Sequence, residues 1–169
     1  IMQTKTKTYK KYEIDKQPQD TRKKVIEKNA ELIREAEVED YLKEDMELYA
    51  QQLLKDYFGE KAIFKNVYYD LSYCQGSGAM IEFDLKCYNK NVEIRHNGGH
   101  YYHENSFKIV EVDFDDELTH KQYRTLKEKI YNINKQLAKY GYEFIEQDRT
   151  EQAVEQLKDC MFYENGDIY

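Results

Sequence analysis

Apolar residues recur at helical spacing through most of the first 60 residues. From Val25 to Ala36 they fall three and four positions apart, which predicts a helix that begins just after Pro18. The segment from Val38 to Phe58 repeats the pattern, and Gly59 is placed to end that second helix. The front of the chain is therefore expected to be helical, apart from a short strand between residues 8 and 14.

The period changes to two after residue 65. Apolar and polar residues alternate through 66–73 and again through 79–87, as they do in strands with one buried face. Shorter strands are expected around Val92 and Ile94 and from Ser106 to Phe114. Sequential strands joined by short connections favour an antiparallel meander.

A helix follows the strands. Thr119 and Gln122 form a capping-box pattern, and apolar residues continue to Tyr140. Gly141 is expected to end this helix, and 142–145 to be extended.

The chain should close with a short helix capped by Asp148 or Thr150, an extended piece, and an Asn165-Gly166 turn into a docked strand. The fold class is therefore α+β: a four-stranded antiparallel meander with helices packed on one face and an N-terminal helical extension. We expect a helical region with a basic arm at 2–60, with Met2 as the natural start, and a sheet-and-helix unit at 61–169.

Charge is distributed unevenly. The net charge is -7, yet residues 1–28 hold nine basic side chains against four acidic ones. The acidic remainder argues against broad duplex binding, which needs many cations to neutralise phosphates. It is compatible with docking on a basic surface or with a solvated helical face. The candidate docking carboxylates on the helices are Glu37, Glu39, Asp40 and Glu44.

No apolar run is long enough to span a bilayer, and no secretory signal precedes the first helix. Cys74, Cys87 and Cys160 have the spacing of neither a disulfide framework nor a zinc knuckle. We therefore expect a protein of a reducing cytoplasm that carries no cofactor.

Two loops hold the residues best suited to chemistry. In a meander, alternate connections lie at the same end of the sheet, so the loop at Gln75, Gly76, Ser77 and Gly78 should meet the loop at 98–104. Glycines allow backbone N–H groups to face a ligand closely, and Gln75 and Ser77 add neutral hydrogen-bonding groups. The two loops are therefore predicted to form one site.

The second loop carries proton-transfer and stacking groups. His100 and His103 are suited to exchanging protons near neutral pH, and a histidine pair suits metal-independent RNA cleavage. Tyr101 and Tyr102 are suited to stacking a base or binding a phosphate. A tight turn and surface histidines explain the same residues without chemistry.

Metal binding is a further alternative. His96, with the two loop histidines and Glu104 or Cys74, offers ligands, but the spacing matches no familiar zinc site, so no metal is assigned. The acidic run at 113–117 is more typical of a solvated turn than of a cation site.

Three segments resemble a family of small phage and mobile-element proteins. They are VYYDLSYCQGSG at 67–78, HYYHE at 100–104 and FYENGDI at 162–168. In that family the first motif usually has Asp where Ser77 stands, and the last has Thr where Tyr163 stands. Ser77 removes a carboxylate, which weakens any metal site in this loop.

The chain also resembles the streptococcal type II-A anti-CRISPR proteins, a group in which one member truncates guide RNA. This resemblance implies that His100 and His103 act as an acid–base pair, with Gln75, Gly76 and Ser77 as a phosphate cradle. It also implies that the acidic helices dock on the basic channel of a type II effector nuclease in the host bacterial cytoplasm.

Three functions remain open from the sequence. The first is an anti-CRISPR inhibitor that cleaves guide RNA without a metal. The second is a noncatalytic acidic mimic of nucleic acid that blocks the effector. The third is a phage accessory protein that binds a nucleotide or another small ligand at the glycine loop.

Overall fold

The computed structural model describes residues 12–112, 117–163 and 165–168. The four helices are α1 Gln19–Asp40, α2 Leu42–Phe58, α3 His120–Glu146 and α4 Thr150–Leu157. The six strands are β1 Tyr12–Glu13, β2 Ala62–Asp70, β3 Gly78–Cys87, β4 Lys90–His96, β5 Phe107–Glu111 and β6 Met161–Phe162. Across these described ranges, no helix has the length and apolar character needed to cross a membrane. Residues 1–11, with four of the nine basic side chains of 1–28, and the acidic positions 113–116 lie outside them.

Internal contacts divide the chain into two compact units. Unit 1 comprises the residues up to Glu39 together with those from Gln147 onward, and unit 2 is Asp40–Glu146. This division does not fall at the expected boundary after residue 60. The residues from Gln147 onward, predicted to belong to the sheet-and-helix unit, instead form one compact unit with α1.

The sheet of unit 2 is a four-stranded antiparallel meander in the order β2-β3-β4-β5, which confirms the predicted α+β class. Val67 lies opposite Ile81, Phe83 opposite Ile94, and Ile94 in turn opposite Ile109. Apolar residues therefore line one face of the sheet in register, as the alternating pattern predicts. The strand expected to reach Phe114 ends at Glu111 in the described residues.

Helices α2 and α3 pack on this apolar face. The ring of Phe58 at the end of α2 lies 5.6 Å from the ring of Phe83, between centroids. Gly59 ends α2 with a positive φ of 62° and donates its N–H to the Lys55 carbonyl oxygen, as predicted. The helices shield the core of unit 2, whose fully buried side chains include Met46, Ile81, Phe83, Ile94, Ile130, Ile133 and Leu137.

The other face of the sheet carries an ion-pair network. Asp84 accepts from Arg95 at 2.5 Å and from Lys65 at 3.2 Å, and Glu93 lies 3.3 Å from Arg95. Partial burial alone would raise the pKa of Asp84, but the hydrogen bonds and charges of the two cations outweigh it and lower the pKa.

Helix α3 begins where the capping box predicts. The Thr119 N–H donates to the Gln122 side chain, and the Gln122 N–H donates back to the Thr119 hydroxyl at 3.2 Å. The predicted end at Gly141 is wrong, because α3 continues to Glu146 through the segment expected to be extended. A Cβ at Gly141 would lie 2.7 Å from Cδ1 of Leu71, so this glycine allows close packing instead of ending the helix.

Unit 1 has a small core of its own. Ile14, Leu157 and Phe162 are buried together, and Val25 and Ile26 of α1 pack against them. Strand β6 pairs antiparallel with β1, and Ile168 returns as a bridge to Phe162 after the Asn-Gly turn. The expected docked C-terminal strand is therefore present as a single bridge.

Candidate functional site

The two loops predicted to share a site are in contact. The first loop, 71–77, joins β2 to β3, and the second loop, 97–106, joins β4 to β5 at the same end of the sheet. A Cβ at Gly76 would overlap the ring of Tyr101, and a Cβ at Gly78 would lie 3.0 Å from Cα of His103. The pair is called the two-loop site below.

The first loop is held by its own hydroxyl groups. Ser77 Oγ accepts from the Cys74 N–H at 3.0 Å and lies 3.0 Å from Ser72 Oγ. Asp70 accepts from the Ser72 N–H, and hydrogen bonds from Ser72 and then Ser77 lower the pKa of this exposed carboxyl. The Ser77 hydroxyl therefore stabilises the turn, while the Gln75 side chain remains exposed.

Tyr73 anchors the first loop to the end of α3. It adopts a left-handed backbone with φ of 58°, and its ring lies 4.5 Å from that of Tyr142. Its hydroxyl donates to Glu146, a hydrogen bond that, ahead of desolvation, raises the pKa of Tyr73 to about 12. Both contacts come from the turn of α3 beyond Gly141, a segment that the sequence pattern predicted to be extended.

His96, at the end of β4, organises the start of the second loop. Its Nδ1 lies 3.1 Å from the Gly98 amide nitrogen and its Nε2 lies 2.9 Å from the Tyr101 carbonyl oxygen. An amide can only donate, so Nδ1 accepts and the proton resides on Nε2. His96 thus acts as a structural bridge within the loop.

His103 is fixed in a similar way. Its N–H donates to Ser106 Oγ at 3.1 Å, and its Nδ1 accepts from the Asn105 N–H at 3.1 Å. In its neutral form the ring therefore carries its proton on Nε2. His100 is exposed and has no side-chain hydrogen bond to any residue that the structure describes.

Three aromatic rings cover the sheet face opposite the helices beside the loops. Tyr68 stacks on Tyr102 with ring centroids 5.5 Å apart, and the His96 ring lies 5.1 Å from Tyr102. Glu82 ties them together by accepting from the His96 N–H at 2.8 Å and from the Tyr68 hydroxyl at 3.5 Å. One face of Tyr102 is thus used internally, whereas Tyr101 is 52% exposed and better placed to stack a base.

Asn134 of α3 is a site-building residue that the sequence pattern did not reveal. It is completely buried, accepts from the Ile81 N–H at 3.0 Å, and donates to the Glu104 carbonyl oxygen at 3.2 Å. The Ile81 amide lies beyond Phe83, the last β3 residue at this end that pairs with β4, and it donates to Asn134 instead. The only signal in the sequence is an amide side chain within an apolar stripe.

A cavity of about 410 Å³ adjoins the second loop. Arg124 and Lys127 of α3 contribute its cations, and Tyr131 an aromatic ring. It reaches the loop at Asn105, whose N–H binds His103. The cavity therefore combines two cations and one carboxylate, Glu128, at the edge of the second loop.

Metal ligands do not converge in the described part of the chain. Within 12–112, 117–163 and 165–168, no three His, Cys, Asp or Glu side chains are grouped so that they could hold an ion. The two ring nitrogens of His96 are already used by loop backbone atoms.

The four predicted docking carboxylates have different surroundings. In unit 1, Glu37 accepts from Arg149 Nε at 2.8 Å, and the Arg149 side chain is only 1% exposed. Glu37 therefore supports the packing of its own unit and is a poor docking residue. Glu39, Asp40 and Glu44 are each exposed.

Comparisons with known proteins do not assign a function to this chain. No protein-family model, no curated protein and no solved structure gives a significant match to this chain.

Proposed function

We propose that this chain is a phage-encoded inhibitor of a type II-A effector nuclease that cleaves guide RNA without a metal at the two-loop site. The observation that carries the proposal is the direct contact of the two loops, which brings Tyr101 onto Gly76 and His103 beside Gly78. The substrate and the host bacterial cytoplasm come from the resemblance of the loop motifs to anti-CRISPR proteins.

The two histidines take different roles in the proposed reaction. His100 accepts the 2′-OH proton, and the resulting oxygen attacks the adjacent phosphorus. The bond to the 5′ oxygen breaks, and the imidazolium form of His103 protonates that leaving oxygen from Nε2, which leaves a 2′,3′-cyclic phosphate and a neutral ring. Because Nδ1 also carries a proton in that form, it must release the hydrogen bond from the Asn105 N–H before the step.

Neighbouring side chains suit an RNA strand. In this proposal the exposed ring of Tyr101 is the stacking platform for one base, and Arg124 and Lys127 of the neighbouring cavity supply cations for flanking phosphates. The cavity reaches the second loop at Asn105 and is the proposed path of the strand. Gln75, with an exposed side chain, is the proposed phosphate contact of the first loop, because Gly76 is covered by Tyr101 and the Ser77 hydroxyl is used within the turn.

Wild-type protein incubated with effector and guide RNA in EDTA should yield shortened RNA with a cyclic phosphate end. His100→Ala and His103→Ala should each slow this cleavage by about 100-fold or more, since each removes a proton-transfer group. His120→Ala, which removes an exposed histidine at the start of α3, is the matched control and should cleave normally. A denaturing gel and mass spectrometry of the products provide the measurement.

Three results would overturn cleavage at this site. They are intact guide RNA with the wild-type protein, cleavage abolished by EDTA, and equal loss in the His120 control. Full inhibition of the effector by the two alanine variants would instead indicate the noncatalytic blocking mechanism. Circular dichroism of each variant separates loss of chemistry from loss of fold.

A further inference from the structure

A second cavity lies at the far end of the sheet. It measures about 290 Å³ and lies where α2, the end of β3 and α3 meet. From Gly78 at the two-loop site to Cys87 at this cavity, β3 runs nine residue steps, or roughly 30 Å. The cavity therefore belongs to a separate place in unit 2.

The lining combines cations with aromatic rings. It comprises Tyr57, Phe58, Lys61, Leu85, Lys86, Cys87, Tyr88, Leu126 and Lys129. None of these is acidic, although the whole chain has a net charge of -7. Within the described residues, Lys61, Lys86 and Lys129 have no ion-pair partner. Such a local concentration of cations attracts an anion.

Lysine side chains act electrostatically on one thiol, that of Cys87. Burial, the largest influence, raises the pKa of Cys87, and the positive charges of Lys129, Lys61 and Lys90 oppose it. Two of these cations, Lys61 and Lys129, line the cavity together with Cys87. An anionic group near Cys87 would therefore meet charges contributed by α3 and by the turn before β2.

The aromatic wall is fixed in place. Tyr57 accepts from Gln136 Nε2 at 2.7 Å, and the ring of Phe58 lies 6.3 Å from that of Tyr57. Lys129 Nζ lies 5.7 Å from the Phe58 ring centroid. Tyr88, in the turn between β3 and β4, is 45% exposed and offers a free ring face.

We propose that this cavity binds a nucleoside monophosphate, with the base against the aromatic side chains and the phosphate among Lys61, Lys86 and Lys129. The volume, near the lower limit for ligand sites, suits one nucleotide. Stacking is suited to the planar base, and ammonium groups are suited to the phosphate as point charges. The ligand is a free mononucleotide or the terminal nucleotide of a strand, which share this chemistry.

Calorimetry of the full chain with AMP tests the proposal. Lys61→Gln and Lys129→Gln should each weaken AMP binding about tenfold, because each removes one charge-assisted hydrogen bond. Lys135 is an exposed residue of α3 outside the cavity, so Lys135→Gln should leave the affinity for AMP unchanged. Adenosine lacks the phosphate and ribose 5-phosphate lacks the base, so each should bind at least about tenfold more weakly than AMP.

Two further measurements locate the ligand. Bound AMP should slow alkylation of Cys87 relative to the exposed Cys74, as read by peptide mass spectrometry. Tyr88→Asn, which suits the positive φ of 50° at this turn, should weaken AMP without affecting ribose 5-phosphate. The dinucleotide pApA, compared with AMP, separates the two sources: tighter binding assigns a strand terminus, and weaker binding assigns a free nucleotide.

The proposal is overturned by absence of AMP binding at millimolar concentration. It is also overturned if inorganic phosphate binds as tightly as AMP, or if Lys135→Gln weakens binding as much as Lys129→Gln. His100→Ala and His103→Ala should leave AMP binding unchanged, so failure of the RNA cleavage proposal does not affect this one.

Discussion

Gly76 shows how a glycine in a candidate ligand loop is used by the protein itself. Its φ of 88° lies in the region that favours glycine, and the space beside it is filled by the Tyr101 ring. The close approach that the sequence suggested for a phosphate is made by an aromatic side chain. Gly76 thereby fixes where the exposed face of Tyr101 is presented.

The second loop offers a matched control for this contact. Gly98 also has a positive φ, 82°, but a Cβ there would have nothing within 4 Å. Gly76→Ala and Gly98→Ala should both cost about 1 kcal/mol for the backbone, and Gly76→Ala a further ~1–3 kcal/mol for overlap with Tyr101. Urea denaturation measures both, and the difference should vanish in a Tyr101→Ala background. Equal costs with Tyr101 present would contradict the role assigned to the contact.

The glycine within α3 is a second case, at the scale of an element. A Cβ at Gly141 would meet Leu71 at 2.7 Å and Met46 Sδ at 3.1 Å, so the helix passes close to the start of the first loop and to α2. Continuation of the helix past this point places Tyr142 and Glu146 beside Tyr73. The extra turn therefore joins α3 to the first loop.

Gly141→Ala should destabilise the protein by ~1–3 kcal/mol, although alanine is the better helix former by about 1 kcal/mol. Combining it with Leu71→Ala should recover much of that loss, because the overlapping methyl group is removed. A double-mutant cycle by urea denaturation measures the coupling. Lys135→Ala, at an exposed position of α3, serves as the control and should be near neutral. A stabilising Gly141→Ala would contradict the packing role.

The strands and helix starts were predictable because their signals are local. Alternation through 79–87 indicates β3, and Thr119 and Gln122 cap α3 as their spacing suggests. Gly141 was misread because a glycine signals either a helix end or close packing, and the deciding contact with Leu71 is 70 positions away. The meeting of the two loops followed from strand direction, whereas the use of Gly76 by Tyr101 depended on side-chain contacts that no local pattern encodes.

At the scale of the whole molecule, the net charge of -7 reflects an excess of carboxylates over basic side chains. Glu39, Asp40 and Glu44 are each exposed, whereas Glu37 accepts from both Arg149 and Gln152. The proposed docking on a basic effector therefore rests on the three exposed carboxylates. Reversing Glu37 would disturb unit 1 and obscure any effect on binding.

Glu39→Lys, Asp40→Lys and Glu44→Lys together should weaken binding to the effector, most clearly at low salt, because like charges then face each other. Cleavage of free RNA should be unchanged. Glu143→Lys, an exposed acidic position near the end of α3, serves as the control for net charge. Surface plasmon resonance at two ionic strengths measures the effect, and unchanged affinity of the triple variant would remove these residues from the docking surface.

The hydrogen bonds of Asn134 have a consequence for the order in which the molecule assembles. They join α3 to Ile81, 53 positions earlier, and to Glu104, 30 positions earlier. Hairpins between neighbouring strands can form from local contacts, but the second loop gains this support only after the helix has docked. The support of Asn134 for the histidine-bearing loop therefore exists only once α3 covers the sheet, which makes this part of the proposed site dependent on a closed core.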